Sequence, residues 1–488
     1  MKYLHLRSLG LRGSLVGLAL MFSVSCMAGD AQPAMFDFPD TPYGEVRIKE
    51  FPIAVQAWTF RRFTFMETLE MVKELGIENI EAWPGQRLGL PGVDPEALFA
   101  YNMSSGQIEA VKAALERFDL RVVAYGVVDK IGPDELEELF SFAKEMGIEI
   151  VVMEPSWDDW TGMDELAREK GLKVAVHNYA VPSKYARPET VLSHIEGLSR
   201  RIGACADMGH WLRSGVVPTE GLKLLSDRIN DVHLKDLVEI GNQAAEEVPF
   251  GQGAADARAV LAELTKQNYA GYLTIEYENE ADADDPRPAI RKIIEFIDSV
   301  TYYKGWTEIL GSSNGRFSKH GWNHYGPGYF SLDSYTGVLT AHGGMGLFWH
   351  TRKYKDFMLE MEFLVEEDKD NSGIFYRVPD MPISDDYIYH AFEVQIDGAS
   401  DDMHRTGAVY DAVAPSADAK KGAGRWNHYR ITLRGSHITV ELNGGTVVEW
   451  EMQPSGKIRD FAAEGYIGLQ NHDNGSPVHF RNIFIREL

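Results

Sequence analysis

Five apolar runs in the first part of the chain each stop at a side chain able to hold a metal ion. Val151-Val152-Met153 leads into Glu154, Val174-Ala175-Val176 into His177, Ala204-Cys205-Ala206 into Asp207, Val232 into His233, and Leu273-Thr274-Ile275 into Glu276. Short apolar runs of this type read as buried parallel strands. Eight occur, at residues 53–58, 77–83, 121–126, 148–153, 172–177, 202–207, 229–234 and 272–276. Helical patterns separate them. Residues 66–75, 106–118 and 134–146 carry apolar side chains at three- and four-residue spacing, and Gly76, Gly147 and Gly171 stand where helices should stop. Between Glu154 and Leu172 there is room for only a short helix. Eight strand–helix repeats predict an α/β fold, a (β/α)8 TIM barrel over residues 45–300. In such barrels the chemistry lies at the C-terminal ends of the strands, where these five residues fall.

Past Thr301 the rhythm changes. Helical patterns vanish, and short aromatic strands appear at residues 357–365, 373–377, 391–396, 426–433, 438–442, 466–470 and 478–485. Asn443-Gly444 between two alternating runs is a hairpin signal. Residues 302–488 therefore predict an all-β two-sheet sandwich or jelly roll.

The 488 residues suit two or three domains, and 44% apolar content suffices for their cores. A formal charge of −25 repels phosphate backbones and argues against a nucleic-acid partner. Lys2, Arg7 and Arg12 precede an apolar stretch at residues 15–24, too short for a convincing membrane span. Residues 1–28 are expected to be a secretory signal, and 29–44 a polar linker. Cleavage after Ala28 and lipidation of Cys26 both remain open, with Ser23 fitting a lipobox poorly. The expected location is outside the cytoplasm, periplasmic or at the cell surface, with membrane contact only through a lipid on Cys26. After processing, Cys205 is the cysteine certain to lie within the folded chain, and its apolar strand makes it a small core residue.

Glutamates, an aspartate and a histidine form a hard, oxygen-rich donor set suited to Mn²⁺, Mg²⁺, Co²⁺ or Zn²⁺. A divalent ion so held can bind both oxygens of a hydroxy-ketone and acidify the adjacent C–H, which a carboxylate can then deprotonate. One such acid alone is usually a solvated loop residue; five at successive strand ends are not. Aromatics at or just past strand ends, Trp58, Trp83, Tyr125, Trp157, Tyr179 and Trp211, offer faces for sugar stacking, although any one could be ordinary packing. Lys235 could stabilise an enolate or orient a hydroxyl, or be a surface lysine.

Residues 45–300 resemble the xylose isomerase-like barrels of the sugar phosphate isomerase/epimerase superfamily. Their ligand order, Glu, Asp, His, Glu, carries over to Glu154, Asp207, His233 and Glu276. The run His233-Leu234-Lys235-Asp236 is common in that group, including its inosose dehydratase-like members. His177 and His210 match positions that touch substrate there, and with Trp58, Trp83 and Trp211 are the expected substrate-binding set. The superfamily's endonuclease branch is excluded by the acidic balance of this chain.

The second half resembles the 3-keto-disaccharide hydrolase family, a concanavalin-like jelly-roll sandwich. The likeness rests on Asn371-Ser372-Gly373-Ile374 with Arg377, Phe392-Glu393-Val394-Gln395-Ile396-Asp397, Thr406-Gly407-Ala408-Val409-Tyr410, Leu442-Asn443-Gly444, Gly468-Leu469-Gln470-Asn471-His472 and Phe480-Arg481-Asn482-Ile483. Arg377, Glu393, Gln395, Tyr410 and His472 are candidates for a sugar groove; a sandwich without chemistry is the alternative.

Together the two resemblances imply a small sugar or glycoside substrate bearing a 3-keto group. A C3 ketone acidifies C2–H, and loss of that proton expels the C1 aglycone. The expected activity is a divalent-metal-dependent lyase or hydrolase on 3-keto-glycosides, with Glu154 or Glu276 as base, His177 as the next candidate and Lys235 assisting. A ketose epimerase or aldose–ketose isomerase is one alternative; a non-catalytic carbohydrate-binding surface protein is another.

Overall fold

The computed structural model describes residues 42–129, 131–313, 316–398 and 401–488. The expected signal at 1–28, Cys26 and most of the linker lie outside these residues. Among the described residues no helix is long and apolar enough to cross a membrane.

Eight parallel strands close into a barrel: Ile53–Gln56, Asn79–Ala82, Arg121–Val128, Ile150–Met153, Lys173–His177, Ile202–Asp207, Ile229–Leu234 and Leu273–Ile275. Each pairs with its sequence neighbours, and the first closes on the last through Ile53↔Leu273 and Val55↔Ile275. Side-chain alternation sorts the two faces. Val174, Val176, Ala204, Ala206, Val232, Leu234 and Ile275 pack outward beneath the helices. Ala54, Val152, Ala175, Cys205 and Tyr272 fill the lumen. Small lumen residues leave space above them for the polar groups at the mouth.

The helices begin and end where local chemistry directs. Thr64 and Glu67 form a reciprocal capping box for Phe65–Glu74. Gly147 and Gly171 adopt left-handed φ of 74° and 82° as the caps of Leu136–Met146 and Trp160–Lys170. The segment after Glu154 does hold a full helix, because Asp159 caps it by accepting from Gly162 N at 2.9 Å. The first strand is shorter than the pattern suggested. It stops at Gln56, and Trp58 lies in the following 3-10 turn.

Beyond Val300 the described residues form two large antiparallel sheets and a two-stranded pair, Ser312–Ser313 with Arg316–Phe317. One has five strands, in the order Trp322–Tyr325, Gly346–Tyr354, Gly465–Asn471, Asn371–Val378 and Phe392–Asp397. The other has eight and includes Phe357–Val365, Asn427–Arg434 and Val478–Glu487. Their facing sides share a core containing Phe348, Ile374, Val394 and Leu469 from one sheet, and Leu359, Phe363, Ile431 and Phe480 from the other. Asn443 and Gly444 turn His437–Leu442 into Gly445–Glu451 with φ of 51° and 88°, the left-handed pair a two-residue hairpin needs.

Glu360 ties barrel to sandwich. Fully buried, it receives Arg47 at 3.0 Å, His428 at 3.0 Å, Arg430 Nε at 2.6 Å and the Tyr303 hydroxyl. Burial alone would raise its pKa, but His428, Tyr303 and Arg47 hold it down at about 2.

Candidate active site

The strand Ile229–Leu234 sets the axis of the barrel site. Asp231 and His233 stand two residues apart and so share the lumen face, with Lys235 next in the series. His233 is fully buried and bridges two layers. Its Nε2 lies 2.9 Å from Glu81 Oε2 and 3.5 Å from Asp231 Oδ2. Its Nδ1 lies 3.0 Å from Glu276 Oε2 and 3.6 Å from Asp207 Oδ2. Glu81 is held in turn by Gln56 Nε2 at 2.9 Å, and Asp231 by the Thr274 hydroxyl at 3.1 Å.

Asp207 ends its strand and caps the next helix, Oδ1 accepting from His210 N at 2.8 Å. Asn178 fixes its backbone from both sides, at 2.8 and 2.9 Å. This leaves Oδ2 facing the lumen, with His177 Nε2 at 3.7 Å and His210 Nε2 at 3.9 Å. Lys235 Nζ, wholly buried, lies 3.3 Å from Asp207 Oδ2, 2.9 Å from Glu276 Oε2 and 3.0 Å from Glu278 Oε2.

Charge is strongly organised here. Burial opposes the Lys235 ammonium, but Asp207, Glu276 and Glu278 hold its pKa well above the ordinary lysine value. The same lysine overrides burial to hold Asp207 well below the carboxylate range. Burial pushes His210 down to about 3, keeping its ring neutral. Burial lifts Glu81 and Glu247 each to about 8, against the pull of His233 and Lys235 respectively.

Asp207, His233 and Glu276 offer donor atoms within 4.8 Å of one another. Among the described residues, Asp207 Oδ2, His233 Nδ1 and Glu276 Oε2 are buried and at hydrogen-bonding distance meet only one another and Lys235, and both ring nitrogens of His177 lack hydrogen-bond partners. Two carboxylate oxygens and an imidazole nitrogen, buried and converging, fit a hard divalent ion. Glu154 is in none of the donor groups found among the described residues; half-buried, it accepts from the Ser183 hydroxyl.

The aromatic residues divide. Trp58 is partly exposed and meets Trp83 edge-on at 4.8 Å. Tyr179 packs on His177 at 4.4 Å and on His210 at 5.4 Å, at the site itself. Tyr125 and Trp211 are buried in the layer between strands and helices, Tyr125 against Phe99 and Phe142. Glu81, Asp231, Glu247 and Glu278 were not singled out from sequence. Glu81 lies inside the strand Asn79–Ala82, between Ile80 and Ala82, so it did not stand out as a residue ending an apolar run.

In the sandwich, Glu393, Tyr410 and His472 line one pocket. Arg377 and Gln395 serve elsewhere. Arg377 donates to the carbonyls of Ala462, at 2.9 Å, and Gly435, and Gln395 donates to Asn371 Oδ1 at 3.2 Å.

A closed parallel barrel with a carboxylate–histidine centre at its mouth, followed by an antiparallel β-sandwich, defines the class of fold. The chain joins a xylose isomerase-like TIM barrel, matched over residues 69–300, to a 3-keto-alpha-glucoside-1,2-lyase-like domain, matched over residues 305–486. It is 29% identical over 139 residues to an inosose dehydratase of Clostridium botulinum, covering 25% of this chain and 46% of that protein. The chain thus spans about half the length of that curated relative. Among solved structures, an uncharacterised protein of Parabacteroides distasonis is 31% identical, covering 51% of this chain and 98% of that one, with a TM-score of 0.43. A candidate glycosyl hydrolase of the same organism is 29% identical, covering 38% and 99%, with a TM-score of 0.32.

Proposed function

We propose that the chain is a carbohydrate-modifying enzyme, a divalent-metal-dependent lyase or hydrolase acting on 3-keto-glycosides at the barrel mouth. One observation carries this reading: Asp207 Oδ2, His233 Nδ1 and Glu276 Oε2 converge, buried, within 4.8 Å of one another, with Lys235 as the one cationic side chain among the described residues that reaches both oxygens. An ion held by these three would supply Lewis-acid polarisation of a sugar carbonyl and its neighbouring hydroxyl. Lys235 touches the same oxygens and also Glu278, so it keeps an anchor when those oxygens are engaged.

The remaining steps fall to the chain's own residues. A carboxylate, Glu154 or Glu276, takes the C2 proton of a 3-keto-glycoside. The released electron pair forms the C1=C2 bond, the C1–O bond breaks, and the aglycone leaves with its oxygen. A 2-hydroxy-3-keto-glycal remains, and water adding across C1=C2 completes a net hydrolysis. His177, with both ring nitrogens unpartnered beside Asp207, is placed to deliver a proton to the departing oxygen or to replace the carboxylate as base. Trp58 and Trp83 offer an apolar wall to the sugar. The leader-like N-terminal sequence adds the proposal that this chemistry takes place after export.

Incubating the protein, with and without chelator, with an aryl 3-keto-glucoside tests the reading. Aglycone and an enone absorbance should appear only without chelator. Exchange of C2–H with deuterated water but no aglycone would overturn elimination in favour of epimerisation or isomerisation.

A further inference from the structure

The end of the barrel opposite the active site shares a cavity with the sandwich. Lys49 stands just before the first strand, and Thr265 and Lys266 close the helix that leads into the last one. All three therefore lie at the N-terminal ends of the strands, away from Asp207, His233 and Glu276. Lys49 N donates to Thr265 Oγ1 at 3.4 Å, which holds its segment against the helix end. The cavity between these residues and the sandwich measures about 390 Å³, inside the roughly 300–1,000 Å³ range of small-molecule sites.

Its charge runs against that of the chain. Lys and Arg number 48 overall, against 73 Asp and Glu. The lining reverses this: Arg47, Lys49, Lys266, Lys421 and Arg481 stand against Glu45 and Glu362. Two of the cations are matched. Arg481 Nε donates to Glu362 at 2.7 Å, and Arg47 to Glu360, behind the wall, at 3.0 Å. Glu45 is exposed to solvent. Lys49 and Lys421 form no ion pair among the described residues. Lys421 Nζ donates to the Trp426 carbonyl at 3.1 Å. Lys49 is 2% exposed, its ammonium 3.4 Å from Asn268 Oδ1 and 5.3 Å from the ring centres of both Phe51 and Phe317. Burial pushes its pKa down, and Glu308 pulls only partly against that. An ammonium buried with one amide and two rings is costly unless an opposite charge joins it.

We propose that this cavity binds one small organic oxyanion, a phosphate ester or carboxylate, against Lys49 and Lys421. Lys49 belongs to the barrel and Lys421 to the sandwich, so the occupant touches both. The site is separate from the barrel mouth and does not rest on the chemistry proposed there.

Inorganic phosphate, glucose 6-phosphate, gluconate and uncharged glucose are titrated calorimetrically into the full chain, stripped of divalent ions by a chelator that is then dialysed away. At least one of the three anions should bind, and glucose should not compete with it. The phosphate and carboxylate arms tell the two ligand groups apart. Affinity should fall at least tenfold in Lys49→Met and in Lys421→Met. Lys421 is partly exposed, so its variant keeps the fold if the other does not. The anion should also raise the melting temperature of the parent protein and not that of Lys49→Met. No anion binding, affinity unchanged within twofold in both variants, an equal melting shift in Lys49→Met, or glucose binding as tightly as the anions overturns the proposal.

Discussion

The two clusters of buried polar groups solve the same physical problem differently. At the barrel mouth, Asp207, Glu276, Glu278 and Glu81 crowd around His233 and Lys235, with most contacts near 3 Å. In the sandwich pocket a single buried glutamate, Glu393, faces one lysine, Lys457, at 3.6 Å. The first arrangement has an excess of carboxylate that one lysine does not balance, and it calls for a further cation. The second is nearly neutral. Burial therefore acts oppositely in its consequences. In the barrel, neighbouring charge defeats burial and keeps Asp207 ionised. In the sandwich, burial defeats its one neighbour and lifts Glu393 to about 7.

The sharpest way to break this contrast is Asp207→Ala. If the barrel centre needs a cation, aglycone release should fall by about a thousandfold or more, and bound metal should fall with it. Elemental analysis beside kinetics checks both. Full activity in a metal-free variant would make Lys235 the sole cation of the site.

The pH dependence of stability probes the other cluster. Glu393 has a folded-state pKa of about 7 against an ordinary 4.5. Below pH 4.5 it is neutral folded or unfolded. Between 4.5 and 7 the unfolded chain ionises it and the folded protein does not, so folded stability is lost as pH rises through that window. The difference, 7 minus 4.5, is 2.5 units. At 1.36 kcal/mol per unit, the loss is at most about 3.4 kcal/mol. Glu393→Gln should remove this part of the slope, as denaturant melts at several pH values would reveal. Parallel curves for both proteins would mean that water reaches Glu393.

The base is next in expected size. Removing a positioned proton acceptor typically costs on the order of a hundredfold or more. Glu154→Gln and Glu276→Gln should separate by metal content, because Glu276 belongs to the donor group and Glu154 does not. The variant that keeps its metal but loses C2–H exchange into deuterated water identifies the base. Exchange retained in both would move the role to His177.

The barrel's layout was legible in sequence because parallel strands buried on both faces read as apolar runs, and a charged residue ending such a run stands out. Asp207, His233 and Glu276 were found that way. Asp231 was hidden because it sits within its strand, and alternation turns it into a lumen lined by Ala175 and Cys205 rather than into solvent. Glu247 and Glu278 lie on excursions after strands, where acids are commonplace. In the sandwich, the strands Trp322–Tyr325, Tyr329–Leu332, Leu339–His342 and Gly346–Tyr354 did not stand out, since three are only four residues long and polar residues interrupt the apolar alternation of all four. Arg377 looked like a groove residue, but its backbone takes a left-handed φ of 60° and its side chain holds two loop carbonyls, a feature no residue pattern announces.

Glu81 offers the finest test of the contrast, because only the barrel cluster has a residue that orients another. Its carboxylate sits 2.9 Å from His233 Nε2, on the side of the ring away from Asp207 and Glu276. Accepting from Nε2–H, the Glu81 carboxyl would leave Nδ1 as the nitrogen that can lose its proton to a metal ion, the arrangement a metal-binding histidine requires. Losing such a partner typically weakens metal affinity by 10–100-fold. Glu81→Ala should therefore lower divalent-ion affinity by about that factor in calorimetric titration. Anion binding to the metal-stripped protein should stay unchanged, since neither Lys49 nor Lys421 shares a partner with Glu81. Unaltered metal affinity would mean that Asp231, 3.5 Å from the same nitrogen, suffices to fix the ring.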